Sequence, residues 1–76
     1  MVDHDQARVR ESADWAITAA RRKSIAGEPA RVTVADVIAR AREDFRMELD
    51  CATARTALRS RLELRGLLGI TTDAWQ

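Results

Sequence analysis

The sequence predicts a single, mostly α-helical domain of three helices with a short β element at its C-terminal end. Three observations lead to this prediction. The chain has 76 residues, about the length of one small domain. One break that contains both Gly and Pro interrupts it, at residues 26–30. On both sides of that break, apolar residues recur at helical spacing. We therefore expect one domain that spans residues 1–76.

The first helix is predicted within residues 1–26. Between Asp5 and Lys23, apolar residues recur three or four positions apart, and most charged residues lie off their stripe. The stripe consists of Val9, Ala13, Ala16, Ile17 and Ala20. Basic residues at positions 21–23 suit the last turn of a helix, where the helix dipole favours positive charge. A connector at residues 27–32 follows.

The second helix is predicted over residues 33–45 and has the clearest start signal in the chain. Thr33 and Asp36 have the spacing of a capping box, and Val32 before the cap can pack against Val37. Apolar residues then recur along one continuous face of the helix. They are Val34, Val37, Ile38, Ala41 and Phe45.

The third helix is predicted over residues 50–65. Asp50 offers an N-cap, and Gly66 suits the position after the last turn, where a positive φ is needed. Leu67 should then fold back onto Leu62. The side chains expected toward the core are Cys51, Ala54, Ala57, Leu58, Leu62 and Leu64. Residues 66–76 contain β-favouring residues around a Thr-Asp turn, which predicts a short strand or the stub of a hairpin.

The positive charge of the chain is concentrated on this third helix. Thirteen Lys and Arg residues face twelve Asp and Glu residues, so the net charge is only +1. Residues 51–65 nevertheless contain four arginines and a single acid, Glu63. Of the four, Arg61 projects between the apolar edges of the helix, so it should either extend past the core to solvent or pair with an acid such as Glu48 or Asp44. The outward face combines small, Thr and Arg side chains, a combination suited to the major groove of DNA. A surface face that only contacts water would show the same pattern.

This order of elements resembles the winged helix-turn-helix family of DNA-binding domains, which includes small bacterial and phage regulators. The resemblance rests on three segments. They are Val32-Thr33-Val34-Ala35-Asp36-Val37-Ile38, Thr53-Ala54-Arg55-Thr56-Ala57-Leu58 and Leu62-Glu63-Leu64-Arg65-Gly66-Leu67-Leu68. The last of them is similar to the Leu-Glu-x-x-Gly-Leu stretch at the exit from the recognition helix. The resemblance implies a three-helix, winged helix-turn-helix-like domain in which residues 50–65 form the recognition helix and residues 66–76 a wing stub or tail.

The resemblance also implies a function, which is sequence-specific binding of double-stranded DNA by a homodimer in transcriptional or recombination control. Arg55, Thr56 and Arg59 would read base edges, and Ala52 would permit close approach. Thr53 and Arg46 would contact phosphates, together with either Thr71 or Thr72.

A second hypothesis is a non-enzymatic protein-interaction module, such as a small phage-type inhibitor or adaptor. The near-zero net charge and a wing that is incomplete within residues 66–76 favour it. Trp15 and Trp75 are its candidate contacts with a partner or a second copy, since tryptophan is enriched at interfaces. Each tryptophan could instead cover the edge of the core.

Other classes of function are disfavoured by composition. A single cysteine, Cys51, and a single histidine, His4, cannot form a disulfide or a four-ligand zinc site within one chain. We expect Cys51 to be a buried, inert thiol. No pair of carboxylates suggests acid–base catalysis, so neither a catalytic site nor a cofactor is predicted. No apolar run is long enough to cross a membrane, and the N-terminal residues do not resemble a signal peptide, so a cytoplasmic protein is expected. Twelve arginines against one lysine suggest a GC-rich bacterial or phage genome.

Overall fold

Three helices form the fold, as predicted. The structure is a computed structural model that describes residues 2–24, 27, 29–67 and 70–75, the first three of them by backbone alone. Helix α1 spans Val2–Lys23, α2 spans Val34–Phe45 and α3 spans Cys51–Leu64. Each helix packs against both of the others. Helix α1 ends three residues before the predicted limit at residue 26, and residues 25 and 26 lie outside the described part of the chain.

The core lies where the three helices meet and is built largely from small side chains. Its largest fully buried residues are Ile17, Leu58 and Leu62. Alanines and valines fill the rest of the core and let the helices approach closely. The buried small residues are Ala13, Ala16, Val32, Val34, Val37, Ala41, Ala54, Ala57 and Ala74.

The predicted helix ends of α2 and α3 are confirmed. The Thr33 hydroxyl accepts from the Asp36 N–H at 3.2 Å, and the Thr33 N–H donates to the Asp36 carboxylate at 2.9 Å. At the end of α3, Gly66 has φ +67°, and the Leu67 N–H donates to the carbonyl of Leu62 at 2.9 Å. This Schellman closure ends α3 and directs the chain back along the core.

The C-terminal segment departs from the predicted β element. Among residues 66, 67 and 70–75 it forms no strand, and residues 68, 69 and 76 lie outside the described part. A single parallel bridge joins Thr71 to Arg31. In this bridge the Val32 N–H donates to the Thr71 carbonyl and the Thr71 N–H donates to the Ala30 carbonyl, both at 3.0 Å. Beyond the bridge, the Asp73 carboxylate accepts from the Val34 N–H at 2.9 Å, and Ala74 is fully buried. The segment therefore closes the core and caps the start of α2.

Candidate nucleic-acid interface on helix α3

The start of α3 is fixed by Asp50. Its carboxylate accepts from the Thr53 hydroxyl at 2.6 Å and from the Thr53 N–H at 3.3 Å. The hydrogen bond from the Thr53 hydroxyl is the main reason that the pKa of Asp50 lies below its ordinary value, and the bond from the Thr53 N–H lowers this pKa further. The Thr53 hydroxyl, which the resemblance assigns to a phosphate, thus already donates to a carboxylate of this chain.

This cap predicts a pH dependence of stability. Because the pKa of Asp50 is lower in the folded protein than in the unfolded chain, the unfolded chain binds the proton more readily. The stabilisation of the folded protein by ionised Asp50 is therefore complete when the pH is above 3.8, the ordinary pKa of the group. It is lost as the pH falls through the lowered pKa of the folded protein. We expect the Asp50→Asn variant to lose less stability than the unmodified protein on acidification from about pH 5 to pH 2, as measured by urea unfolding. Thr53→Val, which removes the main donor, should reproduce part of this change, whereas parallel pH profiles for all three proteins would contradict the account.

The four arginines of α3 divide into two pairs with different surroundings. Arg61 Nε donates to Asp14 Oδ1 of α1 at 2.9 Å, and Arg65 Nη1 lies 3.6 Å from the same oxygen. The predicted partners of Arg61, Glu48 and Asp44, are wrong. Each of these acids pairs with an arginine of α2 instead. Arg61 and Arg65 thus join α3 to α1 rather than adding to an outward basic face.

Arg55 and Arg59 form the second pair, one helical turn apart on the same side of α3. The guanidinium carbon of Arg59 lies 5.3 Å from the centre of the Trp75 ring, a cation–π contact. Arg55 is half-buried, and its Nε has no hydrogen-bond partner in the described part of the chain. Neither arginine forms an ion pair with any described residue. Both positive charges therefore remain without a neutralising carboxylate among the described residues.

The remaining predicted contacts on α3 line an open groove of about 800 Å³. We call it the acidic groove. Helix α3 contributes Ala52, Thr53, Thr56, Ala57 and Ser60 to the lining. The other uncharged lining residues are Gln6, Val9, Met47 and Leu49. Its charged lining is Asp5, Glu48 and Asp50 against Arg10. Arg55 and Arg59 do not line it. Of the candidate base-reading residues, Thr56 thus lines the acidic groove, whereas Arg55 and Arg59 lie outside it.

Arg46 and the two threonines of the C-terminal segment lie away from the α3 helix itself. Arg46 ends α2 with φ +52°, a left-handed conformation uncommon for a residue with a side chain, and its exposed side chain has no partner among the described residues. Thr71 is held by the bridge to Arg31. The hydroxyl of Thr72 accepts from the Ala74 N–H at 3.1 Å. The side chains of Arg46 and Thr71 therefore form no hydrogen bond or ion pair with a described residue, since the bridge of Thr71 uses only its backbone.

Two side chains expected toward the core are exposed. Cys51 is an exposed free thiol, and Leu64 is 71 % exposed. The predictions for these two residues are wrong, because Leu64 lies at the edge of the buried face of α3 and Cys51 lies in the first turn of the helix, before the first buried residue, Ala54. In the described part of the chain, no group of three His, Cys, Asp or Glu residues could hold a metal ion.

The two tryptophans are exposed to different extents. Trp15 is 47 % exposed on α1, and Trp75 is 39 % exposed beneath Arg59. Trp75 thus has an intramolecular role as the ring that orients Arg59. Either ring also leaves enough apolar surface for contact with a partner.

Asp14 is the residue of this region that the sequence interpretation missed. It lies just outside the apolar stripe of α1, where an acid is expected to be solvated, and its side chain is instead only 33 % exposed. The sequence did indicate that Arg61 projects toward the core and needs either solvent or a carboxylate partner. It did not indicate which acid this partner is, because Asp14 lies 47 positions away along the chain.

Replacing Asp14 with alanine should destabilise the protein by roughly 1–2 kcal/mol, because a charge-assisted hydrogen bond and a second ion pair are lost in partly exposed surroundings. Glu48→Ala is the control, since it removes an exposed pair with Arg42 and should cost less than about 0.5 kcal/mol. Urea unfolding measures both. Equal losses in the two variants would contradict the structural role of Asp14.

No described helix combines the length and the apolar character needed to span a membrane. A comparison with known proteins found no matching family model, no matching curated protein and no matching solved structure.

Proposed function

We propose that this protein binds double-stranded DNA sequence-specifically, as a small transcriptional or recombination regulator, with α3 in the major groove and Arg55 and Arg59 as its principal contacts. The observation that carries the proposal is the division of the α3 arginines. Arg61 and Arg65 share the carboxylate of Asp14, whereas Arg55 and Arg59 have no carboxylate partner in the described part of the chain. Two uncompensated guanidinium groups on one side of an exposed helix favour a polyanionic ligand.

The chemistry of the two arginines suits this ligand. A guanidinium group can donate two parallel hydrogen bonds to a guanine edge or to a phosphate. Arg59 is already oriented by the Trp75 ring, so less side-chain freedom is lost when it binds. Arg55 is half-buried, and of its three guanidinium nitrogens only Nε is buried without a partner, which leaves the two terminal nitrogens available to a ligand. The two groups are thus set one turn apart along the groove of the duplex.

The other predicted contacts have graded roles in this proposal. Ala52 and Thr56 are exposed and allow the helix to approach bases closely. Arg46 contacts a phosphate. Thr53 caps α3, and its hydroxyl is left out of the phosphate contacts because it donates to Asp50. A single module buries only roughly 600–1,000 Å² on DNA, so the proposal includes a homodimer on a two-fold symmetric site.

Fluorescence anisotropy of labelled duplexes, titrated with the protein across a range of salt concentrations, tests the proposal. We expect binding at low salt that weakens steeply with added salt, because phosphate contacts release counterions. A selected duplex should be bound at least about a thousandfold more tightly than a random duplex. No binding at low salt would overturn the proposal.

A second candidate function, docking of a protein partner, is favoured by the acidic groove. Three carboxylates and an apolar floor at Val9, Met47 and Leu49 suit an amphipathic segment that carries Lys or Arg beside apolar anchors. Asp5 pairs with Arg8 at 4.0 Å and Glu48 with Arg42 at 3.0 Å, so Asp50 is the one carboxylate of the groove that forms no ion pair with a described residue.

A synthetic amphipathic helix of leucine and lysine is the probe for this candidate, with a scrambled peptide of the same composition as its control. The double variant Asp5→Asn with Glu48→Gln should weaken binding of the amphipathic peptide about tenfold. Glu43→Gln, on an exposed position of α2 outside the groove, should leave it unchanged. Equal binding of both peptides, or equal binding by all variants, would count against the groove as a docking site.

A further inference from the structure

A small basic pocket lies where the last turn of α1 meets the end of α3. It has a volume of about 300 Å³ and is lined by Thr18, Arg21, Arg22 and Arg65. Three of the four lining residues carry a guanidinium group, and no carboxylate lines it. We call it the arginine pocket.

The positive charge of the arginine pocket is only partly balanced. Asp14 lies nearest to Arg61, at 2.9 Å, and Arg65 shares the same oxygen at 3.6 Å. One carboxylate therefore serves two guanidinium groups. Arg21 and Arg22 are exposed and form no ion pair with a described residue. The pocket thus has a local excess of positive charge in a chain whose net charge is +1.

The helix dipole accounts for part of this arrangement but not for all of it. Basic residues in the last turn of α1 are favoured by the dipole of that helix. Arg65, from the end of α3, is held beside α1 by Asp14, whereas no described acid accompanies Arg21 or Arg22. Guanidinium groups brought together without matching acids repel one another, and an anion between them removes that repulsion.

We propose that the arginine pocket binds a phosphate group. The planar donor fork of arginine matches phosphate oxygens in pairs, and the half-buried Thr18 supplies a hydroxyl at the same pocket. A free phosphate compound and the backbone of a nucleic acid present the same group. The site is separate from Arg55 and Arg59, which do not line it, so phosphate binding here does not depend on base reading by α3.

Nuclear magnetic resonance of arginine Nε–Hε groups tests this proposal with two probes, inorganic pyrophosphate and a short duplex. Sodium chloride at matched ionic strength controls for screening. We expect the signals of Arg21, Arg22 and Arg65 to shift with pyrophosphate and to stay in place with chloride. The double variant Arg21→Gln with Arg22→Gln should lower pyrophosphate affinity at least about tenfold. It leaves the contacts of Asp14 intact, so its fold should be retained.

The controls separate the sources of the phosphate. Arg8→Gln with Arg42→Gln removes the same charge from exposed pairs elsewhere and should bind pyrophosphate like the unmodified protein. Shifts with both probes support a general phosphate site, and shifts with the duplex alone support a nucleic-acid phosphate. If neither probe moves these signals, or if both double variants lose affinity equally, the proposal is overturned. Arg55→Gln with Arg59→Gln should not change pyrophosphate binding, which distinguishes this outcome from a failure of the DNA proposal.

Discussion

Replacing Leu58 with alanine is expected to bring the protein close to unfolding at room temperature. Leu58 is 0 % exposed and is one of the three largest fully buried side chains. Its truncation should cost about 2–5 kcal/mol, since transfer free energy is lost and a cavity remains. At roughly 0.05–0.15 kcal/mol per residue, a domain of this length has a free energy of unfolding of only about 4–11 kcal/mol. We expect the Tm to fall by more than about 10 °C in thermal unfolding followed by circular dichroism.

Leu64→Ala is the matched control, because it makes the same chemical change six positions further along the same helix. Leu64 is 71 % exposed, so its truncation should change stability by less than about 0.5 kcal/mol. The contrast also tests the orientation of α3, since a helix rotated to bury Leu64 would reverse the order of the two variants.

Replacing Arg55 and Arg59 together with glutamine should abolish most of the proposed DNA binding. If each arginine makes a bidentate contact, each contributes about 1–3 kcal/mol of discrimination against a wrong base. Because these contacts are made to base edges rather than to phosphates, the specificity ratio should fall much more than the slope of log affinity against log salt. Anisotropy titrations of a selected and a random duplex measure both effects.

The double variant Arg8→Gln with Arg42→Gln is the charge-matched control for this experiment. Arg8 lies 4.0 Å from Asp5, and Arg42 lies 3.0 Å from Glu48, so both are exposed arginines with acidic partners. This variant should retain the specificity ratio of the unmodified protein. Equal losses in the two double variants would show that only net charge matters and would contradict a special role for Arg55 and Arg59.

The local features of the fold could be predicted from the sequence because they depend on neighbouring residues. The capping box of Thr33 and Asp36, the N-cap at Asp50 and the closure at Gly66 each follow from residue types within a few positions. Periodicity placed the buried faces of α1 and α2. These signals are sufficient to establish three helices and their approximate ends.

Long-range contacts could not be predicted in the same way. The pairing of Asp14 with Arg61 spans 47 positions, and Asp73 caps Val34 across 39 positions. On α3, small apolar residues lie all round the helix, so the helical wheel leaves its rotation poorly defined. Packing against α1 and α2 decides that rotation, and it leaves Leu64 exposed at the edge of the buried face. The same rotation sets which arginines face Asp14 and which do not.

The division of the α3 arginines is tested most directly by the arginine Nε–Hε resonances during titration with a selected DNA duplex. We predict that the signals of Arg55 and Arg59 shift or broaden, while that of Arg61, held by Asp14 at 2.9 Å, stays in place. Arg8 serves as an exposed reference and should also remain unchanged. Shifts at Arg61 with no change at Arg55 and Arg59 would contradict the account.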